Sequence, residues 1–93
     1  MDQINMSVTY VATEDAVESR LGEETVILHL ESVVYFGLDA IGTRIWEVLQ
    51  KGASPDVICK IIRQEFTEVG DALESDIRGF FSQLSTHKLI SEK

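Results

Sequence analysis

The apolar residues of this chain change their spacing at Gly37, and that change limits the folds available to it. Before Gly37 they alternate with polar residues or form short β-branched runs, as β-strands do. After Gly37 they recur every three to four residues, as on one face of an α-helix. Strands followed by helices predict an α+β fold, and 93 residues predict a single domain over 1–93.

Three strands are predicted before Gly37. Alternation at Met6, Val8 and Tyr10 indicates the first, residues 25–30 form the second and residues 33–36 the third. The last two are close enough in sequence to form a hairpin. The acidic stretch 13–24 is predicted to be a loop that can include a helical turn.

Three helices are predicted after Gly37. Asp39 is the expected cap of the first helix, Ser54 followed by Pro55 begins the second, and Asp71 with Glu74 resembles a capping box for the third. A three-stranded antiparallel sheet packed on three helices resembles a winged helix-turn-helix. The apolar stripes are Ile41, Ile45, Val48 and Leu49; Val57, Ile58, Ile61, Ile62 and Phe66; and Leu73, Ile77, Phe80, Phe81 and Leu84.

The charge balance narrows the choice of partners. Eight basic residues stand against 16 acidic ones, a net charge of −8. Nucleic acid and anionic membranes both require a basic face, so neither is expected as the partner. The single cysteine, Cys59, excludes an internal disulfide, and the N-terminus lacks a secretion signal; a cytoplasmic location is expected.

Residues that could perform catalysis are isolated in the sequence. His29 and His87 lie far apart, and Cys59 has no neighbouring histidine or second cysteine. Metal sites and activated thiols need such neighbours at short spacing. The glycines do not form a phosphate-binding loop. We therefore expect a non-catalytic protein without a metal or cofactor.

Two apolar segments have more large side chains than one face of an element can bury. Residues 33–36 are apolar on both faces of a strand, and adjacent positions on a helix, as Phe80 and Phe81 are, point about 100° apart. One interpretation assigns all of them to the core of a small domain. The other assigns some to a groove, where an extended peptide adds to the edge of the sheet.

Four segments together resemble one protein family. They are LESVVYFGLD (residues 30–39), GTRIWE (42–47), SPDVI (54–58) and FFSQL (80–84). In this order they resemble the PqqD-like family of RiPP precursor recognition elements, which bind the leader of a ribosomally synthesised precursor peptide. The pattern is most similar to the stand-alone versions of lasso peptide biosynthesis. It covers about two-thirds of the chain and weakens before Glu24.

The resemblance implies a function and a site. A leader, with a Tyr-x-x-Pro motif in the lasso class, would add antiparallel to the third strand beside the third helix. A cysteine protease would then remove the leader, and a separate cyclase would close the ring. Many relatives have glycine where this chain has Val33. The implied leader-binding residues are Val33, Val34, Tyr35, Phe36, Leu73, Asp76, Ile77, Phe80, Phe81 and Leu84.

Two alternatives stay open at the level of sequence. One is a leader chaperone of pyrroloquinoline quinone (PQQ) biosynthesis, with a radical enzyme as partner. The other is a winged-helix transcriptional regulator, for which the acidic third helix has an unfavourable composition.

Overall fold

The structure of this protein is a computed structural model that describes residues 4–93. Residues 1–3, where the sequence analysis sought a secretion signal, lie outside the described residues. Its strands and helices are β1 (Tyr10–Ala12), β2 (Ala16–Leu21), β3 (Glu24–His29), β4 (Val34–Leu38), α1 (Ala40–Leu49), α2 (Pro55–Glu65), α3 (Leu73–Thr86) and β5 (Ile90–Glu92).

Strands β2, β3 and β4 form an antiparallel sheet with β3 in the centre. Residues Thr25, Ile27 and His29 of β3 point towards the helices and are buried, whereas Val26 and Leu28 lie on the other face and are half-buried. This alternation is the period of two that the sequence shows. The predicted α+β fold, with a three-stranded antiparallel sheet and three helices, is confirmed.

The prediction of a loop over residues 13–24 is wrong, because this segment contains β2. All of β2 except Ala16 is exposed, so its residues lack the apolar alternation by which strands are recognised. The missed signal is the two-residue turn Gly22–Glu23, in which Gly22 has a φ of 66°. Glycine at the first central position is typical of the tight hairpin turns that match the twist of a sheet.

The predicted first strand is shifted and belongs to a different sheet. Strand β1 begins at Tyr10 and pairs with β5, which the sequence analysis did not predict. Tyr10 also pairs with Ala53 in the loop between α1 and α2: the amide of each residue donates a hydrogen bond to the carbonyl of the other at 2.9 Å. The pairing of β1 with β5 holds the two ends of the described chain together, and the bonds to Ala53 attach β1 to the α1–α2 loop.

The predicted starts of α1 and α2 are confirmed in atomic detail. Asp39 Oδ1 accepts a hydrogen bond from the Gly42 amide at 2.8 Å, and Ser54 Oγ accepts one from the Val57 amide at 3.2 Å. Such caps satisfy amides that have no partner within the helix. The capping box predicted at Asp71 is not formed: Ala72 is the cap residue of α3 and makes no side-chain capping bond.

One hydrophobic core joins the sheet to all three helices. Its centre contains Ile27, Leu49, Ile62 and Phe81, each fully buried. Two predicted members of the α2 stripe differ from the expectation, since Val57 is exposed and Ile61 is only half-buried. Within residues 4–93, no helix has the length and apolarity needed to cross a membrane.

The turn between β3 and β4 has an unusual backbone. Val33 has a φ of 56°, in the left-handed region that β-branched residues rarely adopt. Its amide donates to the His29 carbonyl at 2.8 Å, and the Ser32 amide donates to His29 Nδ1 at 3.3 Å. The buried His29 therefore holds the turn that imposes this strain on Val33.

Replacing Ile62 with alanine is predicted to lower the free energy of unfolding by about 2–5 kcal/mol, because it leaves a cavity in the core. Ile61→Ala removes the same atoms from a half-buried position one residue earlier and should cost clearly less. Urea denaturation measures both. Equal losses would contradict this assignment of the buried face of α2.

Replacing Val33 with glycine is predicted to raise the free energy of unfolding by about 1 kcal/mol, since the left-handed strain exceeds the added flexibility of glycine. Val34→Gly is the matched control: Val34 lies in β4 without a positive φ, so its replacement should lower stability. A Val33→Gly variant less stable than the wild type would show that the turn is not strained.

Candidate functional site

Strand β4 has one paired and one open edge within the described residues. It is hydrogen-bonded to β3 in the register Thr25–Leu38, Ile27–Phe36 and His29–Val34. The opposite edge has no strand partner among residues 4–93. An open edge presents backbone N–H and C=O groups that can bind another chain.

The backbones of β4 and α3 are separated beside the open edge. No Cα atom of β4 lies within 8 Å of a Cα atom of α3. The two elements approach each other through side chains, since Phe36 of β4 contacts His87, the cap residue at the end of α3, edge-to-face with ring centroids 4.8 Å apart. A strand added to the open edge would lie about 4.8 Å from β4.

A groove of about 600 Å³ lies where β4, α1 and α3 meet. Apolar residues from all three elements line it, including Leu38 of β4, Ile41 of α1 and Phe80 of α3. The segment that connects α2 to α3 contributes the remaining wall. Its full lining is Gly37, Leu38, Asp39, Ile41, Gly42, Ile45, Glu68, Val69, Gly70, Ala72, Leu73, Asp76, Ile77, Phe80 and Gln83.

Gly42 lines the groove at a close approach between the start of α1 and the end of β4. A side-chain Cβ at Gly42 would lie 3.3 Å from both Asp39 Oδ1 and Leu38 Cβ. This distance is shorter than ordinary van der Waals contact, so a larger residue would require Asp39 or Leu38 to shift by a few tenths of an ångström. Glycine at this position therefore suits the close approach of the capped start of α1 to the strand.

The groove is acidic as well as apolar. Asp39, Glu68 and Asp76 line it, and its lining contains no lysine, arginine or histidine. Asp39 is already used as the cap of α1, whereas Glu68 and Asp76 form no ion pair with the described residues. An apolar groove with unpaired carboxylates favours a ligand that combines apolar and basic groups.

The described arginines that form ion pairs do so away from the groove. Arg44 donates two hydrogen bonds to Glu65, at 2.8 and 3.0 Å, and this bonding lowers the pKa of the Glu65 carboxyl. Arg20 contacts Glu47 at 2.9 Å, and Arg78 contacts Glu74 at 3.6 Å. These pairs leave the acidic lining of the groove without compensation from the described side chains.

The ten residues predicted to bind a leader fall into three groups in the structure. Leu73, Asp76, Ile77 and Phe80 line the groove. Val33, Val34, Tyr35 and Phe36 lie along β4 and the turn before it. Phe81 and Leu84 are buried in the core, so they support the wall of the groove and do not line it.

The structure also shows which way neighbouring side chains face, which the sequence could not decide. Phe80 is half-buried and faces the groove, whereas Phe81 is fully buried and packs edge-to-face on Tyr10. Tyr35 points to the outer face of the sheet, away from the helices, and is 66% exposed. Tyr35 can therefore contribute its backbone to an added strand while its ring faces elsewhere.

Sequence analysis missed the part of the groove formed by the start of α1 and by residues 68–72. A signal for α1 was present, because Asp39 directly follows β4 and caps the helix. The position of residues 68–72 depends on how α2 and α3 pack together, and no local pattern encodes it.

Cys59, which the sequence analysis considered as a nucleophile, is a buried residue. Burial raises the pKa of the Cys59 thiol, which favours the protonated, unreactive form. Within residues 4–93, no three side chains of the types that bind metals come together.

Comparisons with known proteins identify a family and a similar fold. Residues 24–90 match the family model described as coenzyme PQQ synthesis protein D (PqqD). No curated protein matches the chain.

A solved structure described as TbiB1 in complex with the TbiA(beta) leader peptide is similar in fold. Its TM-score is 0.76 and its sequence identity is 34%, and the alignment covers 87% of this chain and 94% of that one. The family match spans well over half of the chain, from β3 to the start of β5. The chain therefore belongs to the PqqD-like family.

Proposed function

We propose that this protein binds the leader of a ribosomally synthesised precursor peptide by β-strand addition. The observation that carries the proposal is the open edge of β4 beside a groove, in a fold similar to that of TbiB1, which was solved with a leader peptide. The leader would extend the sheet from β4 and place apolar side chains in the groove. Backbone hydrogen bonds would supply general affinity, and the groove would supply selectivity.

Phe80 and Asp76 are the proposed determinants of selectivity in the groove. Both lie on α3 and line the groove, and they are one helical turn apart. Phe80 offers an apolar surface for an aromatic ring or a proline of the leader. Asp76 has no ionic partner among the described residues and offers its carboxylate to a basic leader side chain.

The wider role proposed is delivery of the leader to processing enzymes. By resemblance to the stand-alone proteins of lasso peptide biosynthesis, the partners would be a leader-removing cysteine protease and the later maturation enzymes. The protein would make no covalent bond itself. It would raise the local concentration of the precursor at the enzyme, an effect that requires no catalytic group.

A second candidate function is leader binding in PQQ biosynthesis, with a radical enzyme as partner. The description of the matching family model favours it. Both candidates use the same edge and groove and differ in the peptide bound. Titration with leaders of both precursor classes separates them, since the cognate leader should bind at least about tenfold more tightly, a difference of about 1.4 kcal/mol.

Strand addition is predicted to give a one-to-one complex of micromolar affinity or better, about −8 kcal/mol or stronger, with the leader encoded beside this gene. Isothermal titration measures it, with fluorescence anisotropy as a check because binding heat can be close to zero. Absence of binding in both assays would overturn the proposed function.

The same titration tests the backbone hydrogen bonds directly. In an antiparallel pair, alternate residues direct their N–H groups towards the partner strand. N-methylation of single leader residues should therefore weaken binding at alternate positions, and the intervening positions serve as matched controls. A uniform effect along the leader would contradict strand addition.

Phe80→Ala and Asp76→Asn are predicted to weaken leader binding by different physical routes. The first removes apolar contact area, and the second removes a charge that added salt would screen. Asp76→Asn should leave the free energy of unfolding nearly unchanged. Phe80→Ala should lower it, because Phe80 is half-buried and packs against the core, but by less than Phe81→Ala, which should destabilise the core by about 3–5 kcal/mol. Glu74→Gln, on the same helix but outside the groove, is the control for Asp76. Equal leader affinities for Asp76→Asn and the wild type would exclude a role for this carboxylate.

A further inference from the structure

Exposed apolar side chains are concentrated on the three-stranded sheet. Of the seven large apolar side chains that the described residues expose to solvent, six belong to β2, β4 or the turn between β3 and β4; the seventh, Val57, is on α2. Concentrated apolar exposure of this kind marks interaction surfaces more often than scattered exposure does. The six residues are Val17, Leu21, Leu30, Val33, Val34 and Tyr35.

Strand register places five apolar residues on one surface. Val17, Leu28 and Tyr35 are directly paired across the three strands, so they form a row on the face opposite the helices. Leu21 and Val26 lie on the same face, since each is an even number of residues from a member of this row. We call this surface the outer face, consisting of Val17, Leu21, Val26, Leu28 and Tyr35.

Nothing in the described part of the chain covers the outer face. Its members Val17, Leu21 and Tyr35 are 52%, 63% and 66% exposed. The helices pack on the other side of the sheet, where Ile27 is fully buried. One face of this sheet is thus a core surface, and the other is an apolar surface in contact with solvent.

Acidic residues flank the outer face at both ends of the strands. They lie before β2, in and after the β2–β3 turn, and in the β3–β4 turn, and these segments contain no lysine or arginine. A partner with an apolar centre and a basic border therefore complements this surface. A second copy of the chain, with its net charge of −8, would bring acids against acids. The acids are Glu14, Asp15, Glu23, Glu24 and Glu31.

The outer face is continuous with the proposed leader site through one residue. The backbone of Tyr35 belongs to the β4 edge, and its ring belongs to the outer face. A protein seated on the outer face would therefore lie beside the bound leader without occupying the groove.

We infer that the outer face is the docking surface for a partner protein whose matching surface is apolar with a border of lysine and arginine. That partner is the enzyme that processes the leader, and this choice rests on the proposed function. The probe is accordingly the purified leader-cleaving protease encoded beside this gene.

The double variant Val17→Ser, Leu21→Ser is expected to weaken binding of the leader-loaded protein to the protease by at least about tenfold. Val57→Ser is the matched control, because it makes the same kind of change at an exposed valine away from the sheet. Surface plasmon resonance measures the affinities, and added salt should lower that of the wild type. Both variants should bind the leader as the wild type does, which shows that they are folded.

Three results would overturn the inference: wild-type affinity of the double variant for the protease, no binding between the wild-type proteins, or a dimer of this chain that the double variant abolishes. The last would identify a second copy as the occupant. If the wild-type protein fails to bind the leader in the parallel titration, the proposed function itself is overturned. Failure of the inference and failure of the proposed function are therefore distinguishable.

Discussion

The helices of this protein pack on only one face of one small sheet, and the rest of the structure depends on that one-sided packing. Ile27 at the centre of β3 is fully buried, and Thr25 Oγ1 accepts a hydrogen bond at 3.0 Å from Thr43 Oγ1 of α1. Burying this face against three helices stabilises the fold through the removal of apolar area from water. It also fixes the position of β4 relative to α1 and α3.

The same packing leaves two surfaces for recognition. Among residues 4–93, the backbone edge of β4 opposite β3 has no strand partner, and the outer face of the sheet is exposed to solvent. An edge binds through backbone groups that every peptide has, whereas a face binds through side chains. In the proposed function the edge of β4 would hold the leader, and the inferred partner would bind the outer face; the two surfaces meet at Tyr35.

The acidic charge of both surfaces favours the two proposed ligands over nucleic acid. The lining of the groove contains three carboxylates and no basic side chain, and the segments flanking the outer face are acidic as well. Nucleic acid is disfavoured at both surfaces for the same reason, because phosphates would meet carboxylates. The winged-helix resemblance therefore concerns the arrangement of the elements and gives no support to DNA recognition.

The sequence by itself determined the α+β class, the caps at Asp39 and Ser54, and the presence of a strand at residues 33–36, which the structure places at Val34–Leu38, because each depends on neighbours within a few residues. It did not reveal β2, whose side chains are mostly exposed and whose existence depends on pairing with β3. The tertiary structure alone decided that Phe80 faces the groove while Phe81 fills the core. A helical pattern gives the angle between two side chains, but the packing of α3 against its neighbours sets which of them meets solvent.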